Sequence, residues 1–208
     1  MNKQFQGAIS FYEKNRGKNL ESVSGVGSFL QNTQEAIYFV PRVIRKLEAR
    51  TVTDCPCGDW NWMSKVDLDG VDYLGLDIIE DIIERNKKRY ARQQARVLSE
   101  PIDDDYTSKY KPELDIKFDV FNILENVPRT SDLIICRDFM FHLTLEQQTV
   151  AMDNFRKSKS KYIMMTTYPY MDVNTELTEK EIRDGWGFRK INVERPPFNL
   201  ADTICFIE

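Results

Sequence analysis

Ten residues, Asp54-Cys55-Pro56-Cys57-Gly58-Asp59-Trp60-Asn61-Trp62-Met63, constrain this chain more than any others. They lie between two short runs of β-forming residues. Val52-Thr53 leads in, and Tyr73-Leu74-Gly75-Leu76 leads out and ends on Asp77. A strand, a tight glycine turn and an acid closing the next strand together make a nucleoside half-site. The glycine lets backbone approach the ligand, and the acid accepts hydrogen bonds from ribose hydroxyls. Asp77 follows Gly58 by 19 residues, a spacing that suits this division of labour.

From residue 51 onward the text alternates strand and helix. Strands are predicted at Thr51–Cys55, Val71–Ile78, Asp115–Phe121, Asp132–Arg137 and Lys161–Thr167, with two late ones at Ile191–Glu194 and Thr203–Ile207. Helices are predicted from Glu80 to about Val97, where Ile82, Ile83, Asn86 and Tyr90 share one side, and over Leu145–Lys157. Such alternation predicts an α/β fold, a mainly parallel sheet covered on both faces, with ligands at the carboxyl ends of the strands. Residues 1–50 read as helical. Gln4 to Lys14 carries Phe5, Ile9 and Tyr12 at helical spacing. A polar glycine stretch, Arg16 to Ser28, comes next. A second helix is capped by Asn32 or Thr33, with Pro41 placed to kink or divide it. With 208 residues the chain is long enough for one domain with a sizeable core.

The turn carries one glycine where a dinucleotide fingerprint has three, and Asp59 puts a negative charge where a pyrophosphate would sit. A cationic, phosphate-free nucleoside fits better, which favours S-adenosylmethionine over NAD. Candidate cofactor contacts are Cys57, Gly58, Asp59, Trp60, Asp77, Ile78, Asp119 and Arg137. Asp119, closing the third strand, either accepts from an adenine amino group or caps a turn. Trp60 and Trp62 either wall the ligand or pack the core. A second informative stretch, Cys136-Arg137-Asp138-Phe139-Met140-Phe141-His142-Leu143, leaves the fourth strand. Asp138 and His142 are four apart, so a helical turn puts them on one face. His142 is the single histidine of the chain and the natural general base for a hydroxyl, with Asp138 as its orienter or competitor. Arg137 pairs with a ligand carboxylate or with Asp138.

Composition narrows the partners. A net charge of −4 and a pI near 5.3 disfavour nucleic acid. No apolar run reaches the ~18 residues of a membrane span, and Met1 to Gln6 shows no secretory apolar core. Cys55, Cys57, Cys136 and Cys205 lack the paired spacing of a zinc site and read as reduced thiols, so no metal is expected and a cytoplasmic setting is.

Taken together, the chain resembles a class I S-adenosylmethionine-dependent methyltransferase. More narrowly it is similar to small sugar or glycan O-methyltransferases encoded by large algal viruses. The residues that carry this are Ser24-Gly25-Val26-Gly27-Ser28, Asp54 to Met63, Gly75-Leu76-Asp77-Ile78, Asp119, Asp132 to Asp138 with His142-Leu143, Asn174, Gly185-Trp186, Asn192 and Pro197-Phe198-Asn199-Leu200. The resemblance implies a Rossmann-like sheet of seven strands, the last antiparallel, over residues 51–208. It implies residues 1–50 as a helical cover, with Ser24–Ser28 as a lid. It implies S-adenosylmethionine contacts at Gly58, Asp59, Asp77 and Asp119, and a sugar hydroxyl of a glycan as acceptor. For a viral protein the setting is the host cytoplasm. Other acceptors of the same fold, a small metabolite, a protein or RNA, and a non-catalytic S-adenosylmethionine-binding module stay open.

Overall fold

The computed structural model describes residues 6–99, 115–184 and 187–200. Among them, five parallel strands form one sheet: β1 (Thr51–Asp54), β2 (Asp72–Asp77), β3 (Ile116–Val120), β4 (Leu133–Cys136) and β5 (Tyr162–Met165). Their order is β3-β2-β1-β4-β5. The chain starts in the middle, adds two strands on one side, then returns to add two on the other. The order therefore reverses between β1 and β4, where Asp54 pairs with Gly75 on one side and Ile135 on the other. The carboxyl ends of β1, β2 and β4 meet at this switch point, where an open α/β sheet leaves a crevice.

Side chains on the strands alternate between two cores, as a sheet buried on both faces requires. Val52, Tyr73, Phe118, Leu133 and Ile135 face one core, together with Val40 and Ile44 of α2 (Gln34–Lys46) and Ile83 of α3 (Glu80–Ser99). Leu76, Ile134 and Cys136 face the other, with Met152 and Phe155 of α4 (Leu145–Lys157). Fully burying a side chain such as Ile83 contributes roughly 1.5–3 kcal/mol. The start of α4 is set by a capping box: Gln147 N–H donates to Thr144 Oγ1 at 3.2 Å, and Thr144 N–H donates to Gln147 Oε1 at 3.0 Å.

Three expectations change. Five strands are present among the described residues instead of seven. Residues 191–194 are not a strand, because the backbone there is held by side chains: Asn192 N–H donates to Asn174 Oδ1 at 2.7 Å and Val193 N–H to Thr167 Oγ1 at 3.2 Å. The strand expected at 203–207 lies outside the described residues. Second, the described part of the expected cover, residues 6–50, does not all lie over the cavity. α1 (Gln6–Asn15) and residues 23–28 border the cavity described below, whereas Val40 and Ile44 place α2 in a core layer against the sheet. Third, Pro41 does not divide α2, which is one helix over Gln34–Lys46.

Candidate active site

The Asp54–Met63 segment leaves β1 and folds back under β2. Gly58 sits at φ +54°, the left-handed region where a side chain is strained, and a Cβ there would come within 2.5 Å of Ser24 Oγ. Both backbone groups of Gly58 are fixed. Its N–H donates to Asp77 Oδ2 at 3.1 Å, and its carbonyl accepts from Asn86 Nδ2 of α3 at 2.8 Å. Residues 22–28 close over this turn through Asp59, whose carboxylate accepts from Ser22 Oγ at 3.0 Å and Val23 N–H at 2.9 Å. Asn61 completes the attachment, donating to Ser28 O at 3.0 Å and Glu21 Oε1 at 2.8 Å.

Beneath that closure lies a cavity of about 890 Å³ at the carboxyl ends of β1, β2 and β4. Its floor holds two buried carboxylates, Asp54 at 3% and Asp77 at 7% exposure. Among the described residues, no lysine or arginine forms an ion pair with either. Burial pushes the Asp54 carboxyl up to about 7, against the hydrogen bond it accepts from Tyr73 Oη at 2.7 Å. Burial likewise raises Asp77 to about 6, although Ile79 and Gly58 amides donate to it.

A raised carboxyl makes the folded state hold a proton that the unfolded chain has already released. Stability from Asp54 therefore falls as pH rises from its ordinary 3.8 through about 7, then levels off. The size for a group this deeply buried is roughly 4 kcal/mol. Asp54→Asn keeps an acceptor for Tyr73 and carries no charge. We expect it to unfold at higher denaturant than wild type at pH 8 and to flatten the pH dependence between pH 4 and 7. Denaturant midpoints measured across that range give the answer, and an unchanged slope rejects the assignment.

The opposite wall comes from the end of β4 and from distant segments. Asp138 has φ +52°. Its N–H donates to Thr166 Oγ1 at 2.9 Å, Thr166 Oγ1 donates back to Asp138 Oδ1 at 2.9 Å, and Arg137 Nη1 lies 2.9 Å from Asp138 Oδ2. The Arg137 guanidinium stands 5.4 Å from the Trp62 ring centre, and both line the cavity. His142 closes a 3-10 turn, Met140–His142. Its Nδ1 lies 2.6 Å from Gly187 O. A carbonyl only accepts, so Nδ1 carries the hydrogen and Nε2 is the basic atom of the neutral ring. Burial lowers the His142 pKa, outweighing the Gly187 hydrogen bond and the Asp138 charge, so the ring is neutral at pH 7. Phe141, Tyr168, Phe188 and Glu181 complete this side.

No protein-family model matches the sequence, and no curated protein matches it either. Solved structures do match the fold. The methyltransferase domain of bacterial CtHen1 aligns with a TM-score of 0.51 over 73% of this chain and 79% of that one, at 18% identity. The N-methyltransferase NodS from Bradyrhizobium japonicum WM9, solved with S-adenosyl-L-homocysteine, aligns with a TM-score of 0.51 over 76% of this chain and 68% of that one, at 13% identity. This is a Rossmann-like methyltransferase fold.

Within the methyltransferase fold, the cavity brings together seven of the ten candidate cofactor and catalytic residues, Cys57, Gly58, Asp77, Ile78, Arg137, Asp138 and His142, and Trp62 lines it as well. Three lie elsewhere. Asp59 is turned away and spent on Ser22 and Val23. Trp60 is buried at 2% exposure against Tyr90 and Phe118, with ring centres 5.9 and 5.3 Å away. Asp119 is exposed on β3 and outside the cavity lining. Asp138 and His142 do not share a helical turn, because Asp138 precedes the 3-10 turn in a left-handed conformation. Gly187, not Asp138, orients the ring. Missed from the sequence were Asp54, whose signal was an acid closing a buried strand, and Glu181, which carries no local signal; Tyr168 and Phe188, which the sequence offers either as rings to stack on a sugar or base or as core residues, line the cavity too. Cys55, Cys57 and Cys136 are buried thiols, each pushed up by burial, and Cys205 is outside the described residues. Among the described residues no cluster of three or more His, Cys, Asp or Glu is placed to hold a metal, and no helix is long and apolar enough to cross a membrane.

Proposed function

We propose that this cavity binds S-adenosylmethionine and that the chain methylates a hydroxyl oxygen on a sugar of a glycan. One observation carries the cofactor reading: two buried carboxylates, Asp54 and Asp77, on the floor of a nucleoside-sized cavity, with no lysine or arginine ion-paired to them among the described residues. That floor repels a pyrophosphate and suits a ligand that brings its own positive charge and no phosphate. Asp77 receives the ribose hydroxyls, and the left-handed turn at Gly58, with Cys57 and Ile78 beside it, lets backbone come close. Arg137 receives the carboxylate of the amino-acid end. Bound there, S-adenosylmethionine supplies a methyl carbon on a sulfonium, whose C–S electron pair returns to sulfur as the new C–O bond forms.

The chain's own contribution is positioning and one proton transfer. His142 Nε2 takes the hydroxyl proton while Gly187 O holds the ring in the right tautomer. Asp138 is the positioning residue for Arg137, its oxygens already engaged by Arg137 and Thr166. Phe141, Tyr168 and Phe188 gather about His142, with Phe141 and Phe188 ring centres 4.5 and 6.4 Å from the imidazole. Apolar ring faces beside a general base suit the C–H face of a sugar more than an extended phosphate backbone, which needs clustered cations. Calorimetric titration with S-adenosylhomocysteine and with NAD tests the cofactor. Micromolar binding of the first and none of the second is expected, and the reverse overturns it. Incubation with a sugar panel, read as a product 14 Da heavier, tests the acceptor and separates an enzyme from a non-catalytic binding module.

A further inference from the structure

The aromatic wall does not stop at the cavity. Phe141 packs on Phe188 at 4.8 Å between ring centres, Phe188 lies 6.4 Å from Tyr168, and Tyr168 lies 6.1 Å from Tyr170. The row leaves the base and ends in solvent, with Phe188 at 51% and Tyr170 at 65% exposure. Lys190 Nζ stands 5.7 and 5.2 Å from the two tyrosine ring centres and braces them. The turn that carries these tyrosines is fastened from inside. Buried Asn192 donates through Nδ2 to Pro169 O and Met171 O, both at 2.9 Å, and Asn174 Nδ2 donates to Asn192 O at 2.8 Å. A row of rings packed edge to face, continuous with a reaction cavity and half exposed to water, is an extended binding surface. It is longer than one sugar needs.

The charges around the row decide what it takes. Arg137 is taken by Asp138 and, in the reading above, by the cofactor carboxylate, Lys190 is seated between the tyrosines, and the Arg189 guanidinium nitrogens are buried. Glu176, Glu181 and Asp138 stand on the same side. This is not a cationic seat for the diphosphate of a nucleotide-activated sugar. Resting on the methyl-transfer reading above, we infer that Tyr168, Phe188 and Tyr170 form an acceptor subsite for the sugar units next to the methylated one. The acceptor is then an assembled glycan, and glycosyl transfer must come before methylation.

The experiment offers the purified protein S-adenosylmethionine with three forms of each panel sugar: its methyl glycoside, di- and trisaccharides containing it, and its nucleotide diphosphate. Wild type is expected to favour the oligosaccharides in kcat/KM. Tyr170→Ala is expected to lower the ratio of oligosaccharide to monosaccharide kcat/KM about tenfold, the loss of one ring face. S-adenosylhomocysteine binding, measured in parallel, reports that the fold and cofactor site are intact. Equal use of all lengths, a ratio that Tyr170→Ala leaves in place, or preference for the nucleotide sugar overturns the subsite while sparing the methyl-transfer reading. Methylation of single-stranded RNA and of no sugar, with S-adenosylhomocysteine still bound, overturns the sugar acceptor and the subsite together.

Discussion

Asp77→Asn is expected to weaken S-adenosylhomocysteine binding about 10- to 100-fold. The carboxylate has two oxygens and about four lone-pair positions. Gly58 N–H and Ile79 N–H occupy two of them, at 3.1 and 3.0 Å. In the proposed reading, the acceptor capacity left over takes the ribose hydroxyls. A hydrogen bond to a charged group contributes roughly 1.5–3 kcal/mol, so losing the charge and one acceptor costs one to two decades of affinity. Asparagine is chosen because it keeps an acceptor oxygen for one of the two turn amides, which bind different carboxylate oxygens, whereas alanine strips both. Isothermal titration gives the affinity, and a melting curve without ligand shows whether the fold survives. A dissociation constant within twofold of wild type would remove Asp77 from the ligand site.

His142→Ala is expected to reduce turnover about 100- to 10,000-fold, the range that positioned general bases contribute, with cofactor affinity near wild type. The pH profile is the sharper readout. Burial holds the His142 pKa below its ordinary 6.5, so the His142 contribution to wild-type turnover should fall only as pH drops beneath that value. Measured as kcat at saturating cofactor, the variant should lose the part of that acidic limb due to His142, leaving only the fall that protonation of Asp54 and Asp77 on the cavity floor imposes on both proteins. His142→Gln, which can still donate to Gly187 O, separates ring placement from proton transfer. Wild-type turnover in either variant would falsify the base assignment and return attention to Asp138, whose contacts with Thr166 and Arg137 argue against it.

Much of this site follows from local pattern. The strands are short runs of β-forming residues, and their carboxyl ends had to carry the ligand groups once the sheet was parallel. Gly58 and Asp77 were legible because each obeys a rule that acts within its own turn or strand. Asp59 was not, since its direction depends on Ser22 and Val23, more than thirty residues away in sequence. Trp60 could be either a ligand wall or a core residue from the sequence; it is a core residue, with a left-handed backbone at φ +55° and its ring against Phe118. The Asp138–His142 spacing suggested a shared helical face. The left-handed turn at Asp138 breaks that face and leaves the ring to Gly187.

Periodicity, turn chemistry and spacing therefore established a parallel α/β sheet, a glycine turn after β1, an acid closing β2 and a single histidine after β4. Those features arise from interactions between residues close along the chain, which a one-dimensional text records. The partners of Asp59, the tautomer of His142, the raised carboxyls of Asp54 and Asp77 and the aromatic row from Phe141 to Tyr170 belong to the folded molecule. Each is set by burial or by contacts across dozens of residues, and burial exists only once the sheet has formed and its neighbours have closed over it.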